Sequence, residues 1–309
     1  MPIWECTTDM NWGALIEVIL GGLMSGVLYS LVALGFVLIF KASGVFNFAQ
    51  GAMVLFAALA LVRIAEKIPL PLAIALTMAI MVLLALAIEK LVLRPLVNQD
   101  DIILFLATVG VTYFLEGFGQ LLFGSDIYRL DIGMPKEPKF IFESTFQGGI
   151  LIDPEDIIAA VIAALLVIVL AIFFQKTVIG RALRAVADDH QAAQSVGIPL
   201  NRIWVIVWSI AGFVALVAGM VWGSKLGVQF SLAQVALKAV PVVILGGLTS
   251  IPGAITGGLI IGLGEKIAEV YLGPIIGGGI ENWFAYVLAL FFLLIRPEGL
   301  FGEKHIERV

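Results

Sequence analysis

Long runs of apolar residues, separated by short polar stretches, dominate this chain. Nine runs can be drawn, near 14–40, 47–65, 70–89, 102–124, 157–175, 203–223, 233–248, 253–272 and 283–295. A helix rises about 1.5 Å per residue, so about 20 residues cross the roughly 30 Å hydrocarbon layer of a bilayer. Every run except 233–248 meets or nearly meets that length. The pattern predicts an all-α integral membrane protein, a polytopic bundle of about 8–9 transmembrane helices forming one domain over residues 1–309.

Two runs are interrupted in a way that predicts broken or re-entrant segments. In KASGVFNFAQGAM (41–53) the polar and small residues Ser43, Gly44, Asn47, Gln50 and Gly51 break an apolar stretch. Unpaired backbone groups in lipid cost several kcal/mol each, so such a break survives in a protein interior or beside water. Discontinuous helices commonly form solute sites in transporters. Asn47 and Gln50 are therefore candidates for a solute pathway, the alternative being a plain interhelical turn. In AVPVVILGGLTSIPGAITGG (239–258), prolines and glycines predict two short helices meeting at the cytoplasmic side. GVFNFAQ (44–50) and GVQFSLAQ (227–234) echo each other ahead of apolar runs. An internal duplication and chance both account for so short a match.

Two polar segments stand out. Residues 176–202 lie between apolar runs and carry Lys176, Arg181, Arg184 and Arg202. At helical spacing Arg181, Arg184, Asp188, Gln191 and Ser195 share a stripe that excludes Leu183, Val186 and Ala193. This predicts a short cytoplasmic helix on which a soluble partner can press. Residues 125–156 form the longest predicted external loop, with seven acids against three bases. It is either a solvated connector or part of a surface that receives an extracytoplasmic partner.

Composition agrees: 61% of the 309 residues are hydrophobic, 13% are charged, and mean hydropathy is +1.08, which excludes a soluble domain. The distribution of Lys and Arg predicts orientation. With the amino terminus extracytoplasmic, ten bases (Lys41, Lys90, Arg94, Lys176, Arg181, Arg184, Arg202, Arg296, Lys304, Arg308) fall inside against six outside (Arg63, Lys67, Arg129, Lys136, Lys139, Lys225). The carboxyl terminus is then cytoplasmic. The first run is too long for a secretory signal and reads as a retained span. No basic patch with aromatic platforms is present, so nucleic acid is not expected as a partner.

Candidate chemistry is sparse. Cys6 is the one cysteine, and His190 and His305 lie far apart, so no disulfide and no metal site are expected. Nothing matches a phosphate-binding G-x-x-x-x-G-K-[ST] loop; GLGEK (262–266) lacks the hydroxyl residue and sits in a span. The chain is not expected to be an enzyme or to hydrolyse ATP. Glu116, Lys238, Glu265 and Lys266 fall within apolar runs, where charges need partners or water. Lys238 and Glu265 fit a structural ion pair or an interfacial position, and Glu116 fits a pathway wall or the external interface. Gly22-x-x-x-Gly26-x-x-x-Ser30 and Gly258-x-x-x-Gly262 predict close helix packing.

Several stretches resemble the permeases of branched-chain amino-acid ABC importers. GVLYSLVALGFVLIFKASGVFNFAQGAM is similar to that family's opening, and EKLVLRPLVNQDDIILFLATVG to its segment after the third span. GRALRAVADDHQAAQSVGI is similar to its coupling segment, and LKAVPVVILGGLTSIPGAITGGLIIG and LIRPEGLFGEKHIERV to its late and terminal regions. The resemblance implies an inner (plasma) membrane subunit that carries a small polar solute inward, with branched-chain or related amino acids expected. Urea, short amides or organic acids are the alternative cargo, and a stand-alone secondary carrier is the alternative mechanism. It also implies a sister permease, two cytoplasmic ATP-binding-cassette ATPases and an extracytoplasmic solute-binding protein. ATP would act on those ATPases, and no cofactor is expected on this chain. ATPase coupling would fall to Arg181, Arg184, Asp188, Ala192, Ala193 and Gly197, and the pathway to Asn47, Gln50 and Glu116.

Overall fold

The computed structural model describes residues 12–96, 99–141, 149–188 and 190–302, without the side chains of Asp101, Asp188, His190 and Gln191. Cys6, Asp189, Lys304, His305 and Arg308 lie outside the described residues. The helices are α1 (Trp12–Ser43), α2 (Gln50–Ala65), α3 (Leu70–Ile88), α4 (Asp101–Phe123), α5 (Pro154–Lys176), α6 (Val178–Asp188), α7 (His190–Ser195), α8 (Leu200–Leu226), α9 (Val235–Gly246), α10 (Ile251–Ile276) and α11 (Phe284–Ile295). A small antiparallel hairpin, β1 (Lys139–Ile141) and β2 (Ile150–Ile152), occupies the connection between α4 and α5.

Among the described residues five helices are long and apolar enough to cross a membrane alone: α1, α3 with the turn that extends it, α4, α5 and α8. The runs 233–248 and 253–272 form one bent unit, in which α9 with its preceding turn meets α10 at 116°. Of the two short helices expected there, α9 is short at 12 residues, but α10 is a 26-residue helix. Pro252 does not break α10 because it stands in the first turn, where its missing N–H has no helical partner to lose. The runs 47–65 and 283–295 become the short helices α2 and α11.

The helices form an inner group and an outer belt. In α1 and α8, 72% and 67% of the most apolar window is buried, against 28% in α3, α4 and α5. From Gln50 to Val62 every residue of α2 is buried. Small residues let these helices take the interior: Gly26 of α1, Gly51 of α2 and Gly219 of α8 each stand against a neighbouring backbone. Leu83 of α3, Leu106 of α4, Leu165 of α5 and Leu294 of α11 stand on the outer, lipid-compatible surface.

Small residues set the closest approach. The two spaced-glycine motifs face each other where α1 crosses α10. A Cβ on Gly262 would lie 2.4 Å from the Gly26 backbone, and one on Gly26 would lie 2.7 Å from the Gly258 carbonyl oxygen. Ser30 Oγ donates to the Gly26 carbonyl within α1 (2.8 Å) and also lies 3.2 Å from the Ile255 carbonyl across the same seam. Without a hydrophobic drive between helices in lipid, such backbone contact supplies the packing attraction.

Connections gather at two poles. At the first, Lys41 Nζ donates to the Thr249 carbonyl (3.2 Å), Trp204 Nε1 to the Ala42 carbonyl (3.0 Å), and the Leu300 N–H to the Leu245 carbonyl (2.8 Å). At the opposite pole Tyr128 and Val228 exchange backbone hydrogen bonds at 3.0 and 2.8 Å, and Ser224 Oγ donates to Glu155 Oε1 at 2.6 Å. Lys41, Lys176 and Arg296 sit at element ends of the first pole, and Arg184 within α6 at the same pole. Arg63, Arg129 and Lys225 belong to the second, where the Arg63 guanidinium lies 5.1 Å from the Tyr128 ring centroid.

Candidate functional site

The chain leaves α1 at Ser43 and does not resume a helix until Gln50. The break is held by substitutes for helical hydrogen bonds. Asn47 Oδ1 accepts the Ala49 N–H at 3.0 Å, and Thr108 Oγ1 on α4 accepts the Phe48 N–H at 3.2 Å. The same hydroxyl donates to the Phe105 carbonyl at 2.8 Å. An aromatic ladder flanks these bonds: Phe36 stacks on Phe46 (4.8 Å), Phe46 meets Phe48 (5.3 Å) and Phe48 meets Phe105 (4.9 Å).

The second break mirrors the first. After α8 the chain turns at Gly227, passes through a tight 3-10 turn (Phe230–Gln234) and enters α9. The two breaks touch at Gly51, where a Cβ would lie 2.3 Å from the Ala233 carbonyl oxygen. GVFNFAQ and GVQFSLAQ thus hold equivalent places in opposite senses. Each follows a long helix and opens a short one, with α2 running from the first pole and α9 toward it. Opposed discontinuous helices meeting inside the membrane are a transporter device, since irregular backbone is tolerated there only against protein or a cavity. In α9, Pro241 removes an N–H that the Leu237 carbonyl would have accepted; the Tyr286 hydroxyl fills that place at 3.0 Å.

A cavity of about 500 Å³ lies where the breaks meet, lined by residues of α1, α2, α4, α9 and both breaks. Phe36, Phe46, Phe48, Tyr113 and Phe230 give it an aromatic wall; Thr112, Ser231 and Gln234 add polar atoms. Glu116 is its one charged lining residue, half-buried, with no hydrogen bond or ion pair among the described residues. Asn47 and Gln50 take another position. Both are fully buried and stand behind the wall, with Gln50 wedged against Gly35 of α1. Asn47 Oδ1 bonds the backbone of the break, while Gln50 Nε2 has no hydrogen-bond partner among the described residues. Phe46 and Phe230 were legible only as apolar letters; their shared place in the two echoing strings was the available signal.

Of the other charges in apolar runs, Lys238 and Glu265 are joined to each other. Lys238 Nζ of α9 donates to Glu265 Oε1 of α10 at 3.3 Å, and the Tyr29 hydroxyl of α1 donates to the same oxygen at 3.2 Å. This network ties three helices beside the cavity rather than within it.

The polar segment 176–202 folds as α6 and α7 at the first pole. Leu183, Val186 and Ala193 are buried, while Arg181, Ala192, Ser195 and Gly197 are exposed. Arg184 is half-buried: its Nη1 donates to the Phe174 carbonyl at the end of α5 (2.8 Å). Gly197 has φ +85°, a left-handed turn that opens α8. Beside it, Gln194, Pro199 and Asn201 border an open hollow of about 310 Å³. The side chain of Asp188 lies outside the described residues. Of the six residues expected to couple, Ala193 points inward and Arg184 is engaged with its own chain.

Residues 18–296, from the first turns of α1 to the end of α11, match a family described as "Branched-chain amino acid transport system / permease component". BraD, a high-affinity branched-chain amino acid transport system permease protein of Pseudomonas aeruginosa, is 29% identical over 306 residues, covering 95% of this chain and 98% of that protein. LivH, the corresponding permease protein of Salmonella typhimurium, is 28% identical over 308 residues, with 95% and 97% covered. PsaBC from Streptococcus pneumoniae, solved in complex with Fab, superposes at a TM-score of 0.44 with 16% identity over 96% of this chain and 95% of that one. The sequence match runs through the helices that build the cavity and the polar segment alike, and the chain belongs to the family of branched-chain amino acid transport system permease components.

Proposed function

We propose that this chain forms part of the membrane pathway of an ATP-driven importer for branched-chain amino acids. The observation that carries the reading is the cavity at the meeting of two opposed broken helices, lined by aromatic rings and one unpaired carboxylate. An aliphatic side chain suits the phenylalanine wall, and the substrate ammonium suits Glu116, which otherwise has no counter-charge. The lining has no Lys or Arg to meet a substrate carboxylate. A sister permease closing the open side of the cavity completes that half of the site.

The first pole faces the cytoplasm in this reading, because it gathers the larger share of Lys and Arg. It carries α6, α7 and the turn after them, whose exposed residues Arg181, Ala192, Ser195 and Gly197 would meet an ATPase subunit. Asp188 belongs to the same candidate surface. ATP binding there would move α6–α7 as a unit against α5 and α8, and so change which pole opens to the cavity. The opposite pole, with the β1–β2 hairpin, would receive an extracytoplasmic binding protein. ATP would be bound by the partner ATPases.

Gentle detergent extraction from native membranes, followed by mass spectrometry of what copurifies, tests this. The expected partners are a second permease and ATP-binding-cassette ATPases, with leucine uptake in reconstituted vesicles that requires ATP. Uptake by this chain alone, driven by an ion gradient, would replace the reading with a secondary carrier.

A further inference from the structure

A second cavity, of about 190 Å³, lies at the first pole between the ends of α1, α5, α6 and α10. Its walls bring together two cations from distant parts of the chain, Lys41 and Arg184, with the Thr249 and Ser250 hydroxyl side chains, Gln175 and Phe301. No carboxylate lines it, and neither cation makes an ion pair with a described residue. Lys41 donates to the Thr249 carbonyl at 3.2 Å; Arg184 donates to the carbonyls of Phe174 (2.8 Å) and Gln175 (3.5 Å). These bonds aim both heads into the cleft without exhausting the donors of an ammonium and a guanidinium.

We propose that this cleft binds the phosphate group of an anionic membrane lipid. Charge sets the ligand class: two cations with spare donors and nearby hydroxyls match a phosphate oxyanion, and a guanidinium can hold two of its oxygens. Position sets the source. The cleft lies at the ends of membrane-crossing helices, at the depth of lipid headgroups, where basic pockets between helices hold anionic headgroups. The outer face of α5 leads to it: Leu165, Ile168, Val169 and Ile172 are exposed at helical spacing, and Gln175, next on that stripe, is a wall of the cleft. Acyl chains lying along that stripe place their phosphate between Lys41 and Arg184. The bound headgroup then bridges α1, α6 and α10, and holds α6 against the membrane end of α5.

The test is native mass spectrometry of the complex purified in mild detergent, with thermal melting of delipidated complex to which phosphatidylglycerol, phosphatidylcholine or inorganic phosphate is added. Wild type is expected to retain phosphatidylglycerol and to melt several degrees higher with it, and phosphatidylcholine or inorganic phosphate should give no such rise. Lys41→Gln, which removes the charge and leaves a polar side chain, should lose most of the retained lipid, and Lys41→Gln/Arg184→Gln nearly all. Lys225→Gln, at the opposite pole, should retain it as wild type does. Equal retention in wild type and the double variant, or a shift produced equally by inorganic phosphate, would overturn the proposal.

Discussion

A carboxylate on a membrane helix is held at a cost unless paired or hydrated, and Glu116 has no ion pair among the described residues. Glu116→Gln keeps the shape of the cavity wall while removing the charge. It should lower leucine uptake at least ten-fold, with membrane insertion unchanged and the melting temperature unchanged or raised. Wild-type uptake in that variant would remove Glu116 from the pathway. The Lys238–Glu265 pair makes the opposite case. Glu265 is 5% exposed, so losing its partner strands a buried charge. Lys238→Met should destabilise by about 3 kcal/mol, the lower end for a buried pair because Lys238 is itself part-exposed. Adding Glu265→Gln should recover most of that loss in a thermal double-mutant cycle. All these charges were legible in the sequence as polar letters in apolar runs. Which polar residue lined the cavity was not, because Asn47 and Gln50 become fully buried only once the helices pack, Gln50 against Gly35.

At the scale of elements, the paired glycines decide how near α1 and α10 can come. Gly262→Leu would drive a side chain into the Gly26 backbone and is expected to cost at least the 1–3 kcal/mol typical of overpacking, read as a lower melting temperature of the purified complex. Both motifs were visible in the sequence; that they face each other was not, since spacing fixes a helix face and not its neighbour. Break positions were similarly legible at 41–53 and 239–258, because glycine, proline and amides interrupt the runs there. The length of α10 was misjudged, since Pro252 reads as a breaker unless it is placed in the first turn. The polar segment makes its own prediction. Asn tolerates the left-handed backbone of Gly197, and Trp does not and adds bulk to an exposed corner. Gly197→Asn should preserve coupling between ATP hydrolysis and uptake; Gly197→Trp should lower uptake per ATP hydrolysed. Equal coupling in the two variants would take Gly197 out of the contact.

For the molecule as a whole, the two opposed breaks join α1, α2, α4 and α9 around one cavity. The family profile, running from α1 through α11, matches the elements that build it. What crosses the membrane through such a site must meet Ser231 of the second break and Thr112 of α4, both of which line it. The most direct measurement is thiol labelling of Ser231→Cys and Thr112→Cys in a Cys6→Ser background, within the reconstituted complex, using a membrane-impermeant reagent. The account predicts that both positions react from one side of the membrane without nucleotide and from the other when ATP hydrolysis is arrested, with leucine slowing the reaction. Labelling that is indifferent to nucleotide and to leucine, or no labelling from either side, would contradict a translocation route through this cavity.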